Sequence, residues 1–249
     1  MSSTHRHQVQ EQTAFVLHSH PFRETSLILE VFSREHGRQA IVARGARRPR
    51  SALRGVLMNF QPLLLSWFGK GEVKTLHSGE WQGGQPQLQG TALMCGFYLN
   101  ELLLNLLVRD DPHPELFDYY RATLHRLVHE TDHAATLRCF EKHLLQESGY
   151  GLRLDHDASG ATIQPEISYR YEIERGVSRD GLGGIPVQGK TLLDMAVDDY
   201  SDPITMQQSK QLMRALLTHH LAGKSLHTRE LIKELITTSG LPAKRERER

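Results

Sequence analysis

The chain has 249 residues, of which 39% are hydrophobic and 24% charged, and its formal net charge is +1. This length and composition predict a folded protein of one large or two small domains and exclude a wholly disordered or fibrous chain. Residues 97–108, the longest apolar run, are too short for a membrane span, and residues 1–12 lack the apolar core of a signal peptide, so a cytoplasmic location is expected.

The first eighty residues predict a small β-barrel. Five short runs are rich in Val, Ile, Leu, Thr and Phe and are bounded by Gly or Pro, namely residues 14–17, 25–32, 38–44, 62–68 and 72–77. Gly69-Lys70-Gly71 predicts a hairpin turn between the last two runs, and residues 46–59 leave room for an irregular or short helical connection. A five-stranded OB-type barrel is therefore expected, with an SH3-like barrel as the alternative.

Helical periodicity replaces the strand pattern after Gly83-Gly84-Gln85-Pro86. Apolar residues recur at intervals of three and four within residues 93–107, 114–128, 134–148, 190–197, 205–221 and 228–237. Residues 155–189 form a glycine-rich insert, in which residues 167–173 alternate like one strand of a hairpin. The expected organisation is α+β: an OB-fold domain at residues 1–82, then a mainly helical domain at residues 83–249 that contains this insert.

The net charge of +1 is an average over regions of opposite sign. Residues 1–80 carry 11 Lys and Arg against 6 Asp and Glu, residues 81–209 carry 10 against 19, and residues 210–249 carry 9 against 4. Charge segregated in this way indicates that different regions meet different partners. The basic N-terminal region is the candidate for binding a polyanion.

Arginines are concentrated between residues 34 and 54, where Glu35 is the only acidic residue. Arginine offers a planar fork that binds phosphate bidentately and stacks on bases, so a nucleic acid is the expected ligand. The candidate DNA contacts, with two lysines of the hairpin added, are Arg34, Arg38, Arg44, Arg47, Arg48, Arg50, Arg54, Lys70 and Lys74. If several of them neutralise phosphates, the affinity falls steeply with salt.

Aromatic residues are interleaved with these arginines. Phe15, Phe32 and Phe60 are expected to fill the barrel core. Trp67 and Phe68 are neighbours in one predicted strand, so only one of the two points inward and the other is able to stack on a base.

Several patterns suggest an enzyme, and each is weak. Residues 129–133 match H-E-x-x-H, a helical zinc motif, but the chain has 15 His, and Thr131 or Asp132 is better explained as the N-cap of the next helix. Gly223-Lys224-Ser225 lacks the first glycine and the preceding strand of a phosphate-binding loop. No enzymatic activity is expected. An RNA-processing or histidine-dependent metalloenzyme that uses the barrel as a substrate platform is the alternative.

Segments along nearly the whole chain resemble the RecO family of bacterial recombination mediators. They include HSHP (18–21), RETSL (23–27), ARGAR (43–47), PLLL (62–65), GEVKTL (71–76), YLNELL (98–103), LRCFE (137–141), GYG (149–151) and TREL (228–231). The resemblance implies a nucleoid-associated, non-enzymatic protein that binds single- and double-stranded DNA and anneals complementary strands. It also implies that the protein works with RecR to load RecA on strands coated by single-stranded DNA-binding protein.

The resemblance also implies one contact with a partner protein, and the sequence lacks the cysteines of one metal site found in some relatives. The family binds the acidic, hydrophobic C-terminal tail of the single-stranded DNA-binding protein, and Arg138, in the LRCFE segment, is the expected partner of the tail carboxylates. Some relatives carry four cysteines after the Gly-Tyr-Gly segment, whereas residues 152–189 contain none. Asp155, His156 and Asp157 are weak metal candidates at most, so neither zinc nor another cofactor is expected.

Overall fold

A computed structural model describes residues 8–179, 181 and 183–228. These residues divide into two compact units. The first unit, residues 8–112 with 224–228, contains the barrel and the helix that follows it, and the second contains the described residues between 113 and 223. The domain boundary expected at residues 82 and 83 stays a prediction. The helix expected at residues 228–237 lies, apart from Thr228, outside the described residues.

The N-terminal strands form a closed five-stranded barrel in the order β1-β2-β3-β5-β4. They are β1 (Gln8–Phe22), β2 (Ser26–Ser33), β3 (Gly37–Ala43), β4 (Leu63–Phe68) and β5 (Val73–Trp81). β3 and β5 pair in parallel, whereas the other neighbours are antiparallel. With a short 3₁₀ helix (Ala52–Gly55) between β3 and β4, this is the expected OB-type barrel.

β1 is much longer than the expected run at residues 14–17 because it pairs with two strands. Its first half pairs with β4, from Gln8 opposite Phe68 to Ala14 opposite Leu63, and its second half pairs with β2. Irregularities in both pairings let the strand curve around the barrel.

Side chains from all five strands fill the barrel interior, in a cluster that includes Val16, Leu29, Val31, Ile41, Leu63, Leu65, Trp67 and Leu76. Trp67 is 2% exposed whereas Phe68 is half-buried, so Trp67 is the inward residue of the pair. Phe15 and Phe32 lie opposite each other on β1 and β2 and are fully buried, but the alternation of strand faces turns them away from the side chains of Val16 and Val31.

Helix α1 (Gly90–Leu106) packs against β1 within the first unit. The side-chain amide of Asn100, which is buried, donates to the carbonyl oxygen of Leu17 at 2.8 Å. Glu101 accepts hydrogen bonds from the backbone N–H groups of His227 and Thr228 at 2.7 and 3.0 Å. These contacts attach residues 227–228 to the same unit as the barrel.

The described part of the second unit contains four helices, α2 (Pro114–His129), α3 (His133–Glu147), α4 (Gly189–Ala196) and α5 (Pro203–His220). Asp132 and Asp202 cap α3 and α5, since each carboxylate accepts from a backbone N–H two residues on. Pro114 and Pro203 begin α2 and α5, where the missing proline N–H costs nothing. No helix of the described residues is long and apolar enough to cross a membrane.

The insert at residues 155–189 contains a three-stranded sheet rather than a hairpin. Its strands are β6 (Ser168–Glu172), β7 (Gly176–Ser178) and β8 (Ile185–Gln188), and β6 lies in the middle. Tyr169 and Tyr171 of β6 and Val187 of β8 are buried, so one face of this small sheet packs inward.

Candidate nucleic-acid interface

Strand β3 separates the basic residues into two groups. Arg38 follows the first residue of β3, and Arg44 follows its last residue. At about 3.3 Å per residue, these two backbone positions are about 20 Å apart. The arginines between residues 34 and 54 therefore do not form one continuous surface, although they are close in sequence.

Arg44, Arg47, Arg48, Arg50 and Arg54 are all exposed. A short turn follows the end of β3 and contains Arg44, Arg47 and Arg48. Gly45 in this turn has a φ of +69°. The Arg48 side chain lies about 3.5 Å from the place where a Cβ at Gly45 would be. A larger residue than glycine would therefore strain the backbone and crowd Arg48.

The turn between β1 and β2 adds a further arginine to this end. The backbone N–H of Arg47 donates to the carbonyl oxygen of Thr25 at 2.9 Å. The Arg47 guanidinium also lies 3.4 and 3.3 Å from the carbonyl oxygens of Arg23 and Glu24. Arg23, Arg44, Arg47 and Arg48 are hereafter called the arginine cluster.

Arg23 is exposed, and its guanidinium carbon lies 5.1 Å from the centre of the Phe22 ring. This cation–π contact orients the guanidinium beside an aromatic ring that is only half-buried. Arg23 is not predictable as part of this surface from the sequence pattern, because it stands alone, outside the arginine run. The topology of an OB barrel, which places the β1–β2 turn at the end of β3, is the signal that identifies it.

The arginine cluster has the chemistry of a phosphate-binding surface. Its guanidinium groups are exposed, and each is able to donate two parallel hydrogen bonds to one phosphate. Phe22 and the guanidinium planes offer flat surfaces on which bases stack. In OB-folds the β1–β2 loop borders the ligand-binding face, which agrees with the position of Arg23.

At the other end of β3, most of the basic side chains are paired within the protein. The Arg38 guanidinium donates to the carbonyl oxygen of Leu104 at 2.8 Å and lies 3.7 Å from Glu30. Burial lowers the pKa of Arg38, and the attraction of Glu30 only partly opposes this shift. Arg109 forms a second ion pair with Glu30, which is 8% exposed.

Two other candidates at this end also have acidic partners. Arg34 lies 2.5 Å from Glu35, and Lys74 lies 2.6 Å from Asp110. Lys70 is exposed in the β4–β5 turn. The DNA contacts expected of Arg34, Arg38, Lys70 and Lys74 stay predictions, and their surroundings are less basic than the sequence suggested.

Arg138, the expected tail contact, lies on α3 and is mostly buried. Its guanidinium is paired with the fully buried Glu141 at 2.5 Å, and its side chain is 11% exposed. The contact with a partner's tail stays a prediction, and it requires access to a guanidinium that already has an internal partner.

The H-E-x-x-H pattern does not lie on one helix. His129 is the last residue of α2, and His133 is the first of α3. Hydrogen bonds from Arg126 and Thr136 to the Glu130 carboxylate lower its pKa, so this group is an ion-pair partner rather than a base. Within the described part of the chain, no group of three or more His, Cys, Asp or Glu is placed to hold a metal ion, and Asp155 with His156 forms only a pair.

Comparisons with known proteins match almost the whole chain. Residues 7–84 match the family model for the recombination protein O N terminal, and residues 87–230 match the one for its C terminal. The DNA repair protein RecO of Dechloromonas aromatica is 56% identical over 236 residues, which cover 92% of this chain and 98% of the relative. The DNA repair protein RecO of Nitrosospira multiformis is 58% identical over 228 residues, with 90% and 94% covered. The chain therefore belongs to the RecO family.

Proposed function

We propose that this protein is a non-enzymatic DNA repair and recombination mediator. It binds single- and double-stranded DNA, anneals complementary strands and helps RecR to load RecA on strands coated by single-stranded DNA-binding protein. A cytoplasmic, nucleoid-associated location follows from that role. The family membership supports the repair role, and the exposed arginine cluster is the observation that supports DNA binding.

The arginine cluster gives annealing a physical basis. Two complementary strands repel each other through their phosphates, and bound cations reduce this repulsion. Arg44, Arg47 and Arg48 are exposed on one turn, and Arg23 lies beside them. This surface is able to contact phosphates of two strands at once, while Phe22 offers a ring for stacking without sequence preference.

The acidic charge of the helical region supports the assignment of the partner proteins to it. Residues 81–209 carry 10 basic against 19 acidic residues, so this part of the chain repels DNA and is available for protein contacts. Within it, Arg138 is the proposed contact for the tail of the single-stranded DNA-binding protein. Because the guanidinium is paired with Glu141, the tail carboxylate has to compete with that residue. Among the described residues, no observation favours the metalloenzyme alternative.

Annealing of complementary oligonucleotides tests this function. We expect the wild-type protein to anneal naked strands, and to anneal coated strands only when the coating protein has its C-terminal tail. Arg138→Ala should reduce annealing on coated strands alone, after circular dichroism has verified its helix content. Binding of a tail peptide that is unchanged in this variant would overturn the assignment of Arg138.

A matched pair of charge reversals tests the surface. Arg44→Glu/Arg47→Glu/Arg48→Glu should abolish annealing of naked strands. Arg153→Glu/Arg175→Glu/Arg179→Glu, which changes three exposed arginines of the second unit and gives the same net charge, should retain it. Equal loss in both variants would show that only total charge matters and would overturn the assignment to the barrel.

A further inference from the structure

The segment that follows α1, residues 109–111, is bound to the start of β3. Its Asp110 backbone N–H donates to the carbonyl oxygen of Arg38 at 3.0 Å, and Arg109 forms a parallel bridge with Arg38. The carbonyl oxygen of Asp111 comes so near to Gly37 that a Cβ there would lie 1.8 Å from it. This end of β3 lies beside the β4–β5 turn, and in OB-folds the corresponding loop borders the ligand-binding face.

The Asp110 carboxylate of this segment lies next to Lys74, a largely buried lysine. Oδ1 of Asp110 lies 2.6 Å from Nζ of Lys74, whose side chain is 12% exposed, whereas the Asp110 side chain is 55% exposed. Hydrogen bonds from Lys74 and Gln39 lower the pKa of Asp110 against an opposing effect of desolvation. Lys74 therefore has its positive charge neutralised by a group from the protein's own surface.

A cleft of about 320 Å³ opens beside this ion pair. His36, Gln39, Trp67, Gly69, Lys74 and Asp110 are among the residues that line it. Gln39 donates one hydrogen bond to the carbonyl oxygen of His36 at 2.6 Å, and its second amide N–H is available to the Asp110 carboxylate or to the group that replaces it. An ammonium and an amide N–H are donors that suit a phosphate oxygen as well as a carboxylate.

We propose that Asp110 occupies a phosphate-binding subsite formed by Lys74 and Gln39, and that a DNA strand bound to the barrel displaces this carboxylate. The inference rests on the proposed DNA binding and extends it to the end of the barrel opposite the arginine cluster. The two ends are about 20 Å apart, a span that fits the 4 to 16 nucleotides that OB-folds bind.

Displacement of Asp110 exchanges one anion for another at Lys74. The Asp110 side chain keeps more than half of its surface in water, and Lys74, which is 12% exposed, keeps a charged partner throughout. The displaced carboxylate returns to solvent, and the phosphate takes over its hydrogen bonds. Asp110 therefore weakens DNA binding and makes it depend on competition for Lys74.

Asp110→Asn tests the inference with little change of shape. The residue has a φ of +61°, a left-handed conformation that Asn tolerates as well as Asp. We expect this variant to bind a single-stranded thymidine oligonucleotide about two- to fivefold more tightly at low salt. In the wild type the displaced carboxylate attracts a cation again, whereas the variant has no carboxylate to release, so its plot of log affinity against log salt should be steeper by about 0.7.

Two matched variants separate this effect from that of a change in the net charge of the protein. Asp111→Asn removes the same charge from the next residue and should leave the salt slope unchanged. Lys74→Ala in the Asp110→Asn background should abolish the gain. If Asp110→Asn is too unstable to measure, Asp110→Gly is expected to give the same result, because glycine also accepts a positive φ.

The outcomes distinguish this inference from the proposed function. A wild-type protein without affinity for DNA at low salt would overturn the proposed function itself. A wild-type protein that binds DNA, with equal affinities and salt slopes for Asp110→Asn and Asp111→Asn, would overturn the phosphate subsite alone.

Discussion

The backbone N–H of Arg47 donates a hydrogen bond of 2.9 Å to the carbonyl oxygen of Thr25. This bond joins the turn after β3 to the turn between β1 and β2, two parts of the chain that are separate in sequence. Because of it, Arg23 lies with the arginines that follow β3. The proposed DNA-binding surface is therefore a product of the barrel topology and not of the arginine run alone.

Arg23→Ala should weaken binding to single-stranded DNA although Arg23 lies outside the arginine run. Loss of one phosphate contact is expected to make the salt slope shallower by about 0.7. Arg175→Ala, which removes an 82% exposed arginine from the second unit, is the control and should leave the slope unchanged. Fluorescence anisotropy over a series of salt concentrations measures both, and equal slopes for the two variants would exclude a role for Arg23.

Arg38→Ala should reduce stability more than it changes DNA binding. The guanidinium is bonded to Leu104 and Glu30 in a largely buried position, so its removal leaves the Glu30 carboxylate with a weaker set of partners. We expect a loss of about 1–3 kcal/mol in the free energy of unfolding. Urea titration measures it, with the exposed Arg44→Ala as a control that should change stability by less than about 0.5 kcal/mol. Similar losses in both variants would contradict the structural role of Arg38.

Gly37→Ala should destabilise the barrel strongly. A Cβ at this position would lie 1.8 Å from the carbonyl oxygen of Asp111, and the backbone has a φ of +63°. The segment after α1 would have to move away from β3, at an expected cost of at least about 2 kcal/mol. Gly55→Ala is the control, since no atom beyond its two chain neighbours lies within 4 Å of its Cβ position. Thermal unfolding compares the two, and equal melting temperatures would show that the segment does not pack on Gly37.

Glu130 should contribute stability that is lost in acid. Hydrogen bonds from Arg126 and Thr136 lower its pKa in the folded state below the unfolded value of about 4.3. The contribution is therefore complete above about pH 4.3 and disappears as the pH falls through the folded-state pKa. Since the side chain is 40% exposed, it amounts to no more than about 1 kcal/mol.

Glu130→Gln measures this contribution. The difference in free energy of unfolding between the wild type and this variant should be present at pH 7 and should be smaller at pH 3. Glu166→Gln, at an exposed residue, is the control. A difference of the same size at both pH values would mean that the carboxylate charge of Glu130 is not involved.

The strand pattern predicted the barrel because all five expected runs overlap with observed strands. The first run was too short, since residues 8–13 are mostly polar and their pairing with β4 leaves no apolar alternation to detect. The insert was expected to hold a hairpin, yet its third strand, β8, contains Pro186 and only four residues. The β-propensity of these four residues does not identify the strand, because they are extended only through their pairing with β6.

The basic chemistry of the candidate site was predictable from the sequence. The separation of its basic residues into two groups at the two ends of β3 was not. The sequence indicated an arginine-rich surface, and the exposed positions of Arg44, Arg47 and Arg48 agree with it. The partners of Arg38 and Lys74 were not detectable, because Leu104 and Asp110 are remote in sequence and reach the barrel only through the segment that follows α1. Ion pairs between distant residues leave no periodic signal.

The salt dependence of DNA affinity tests most directly whether the end of β3 binds the phosphate backbone. We expect Arg44→Glu/Arg47→Glu/Arg48→Glu to make the slope of log affinity against log salt shallower by about 2, as for three lost contacts to a single strand. Its affinity at low salt should fall at least about tenfold. An affinity and a slope equal to those of the wild type would contradict the assignment of DNA binding to the arginine cluster.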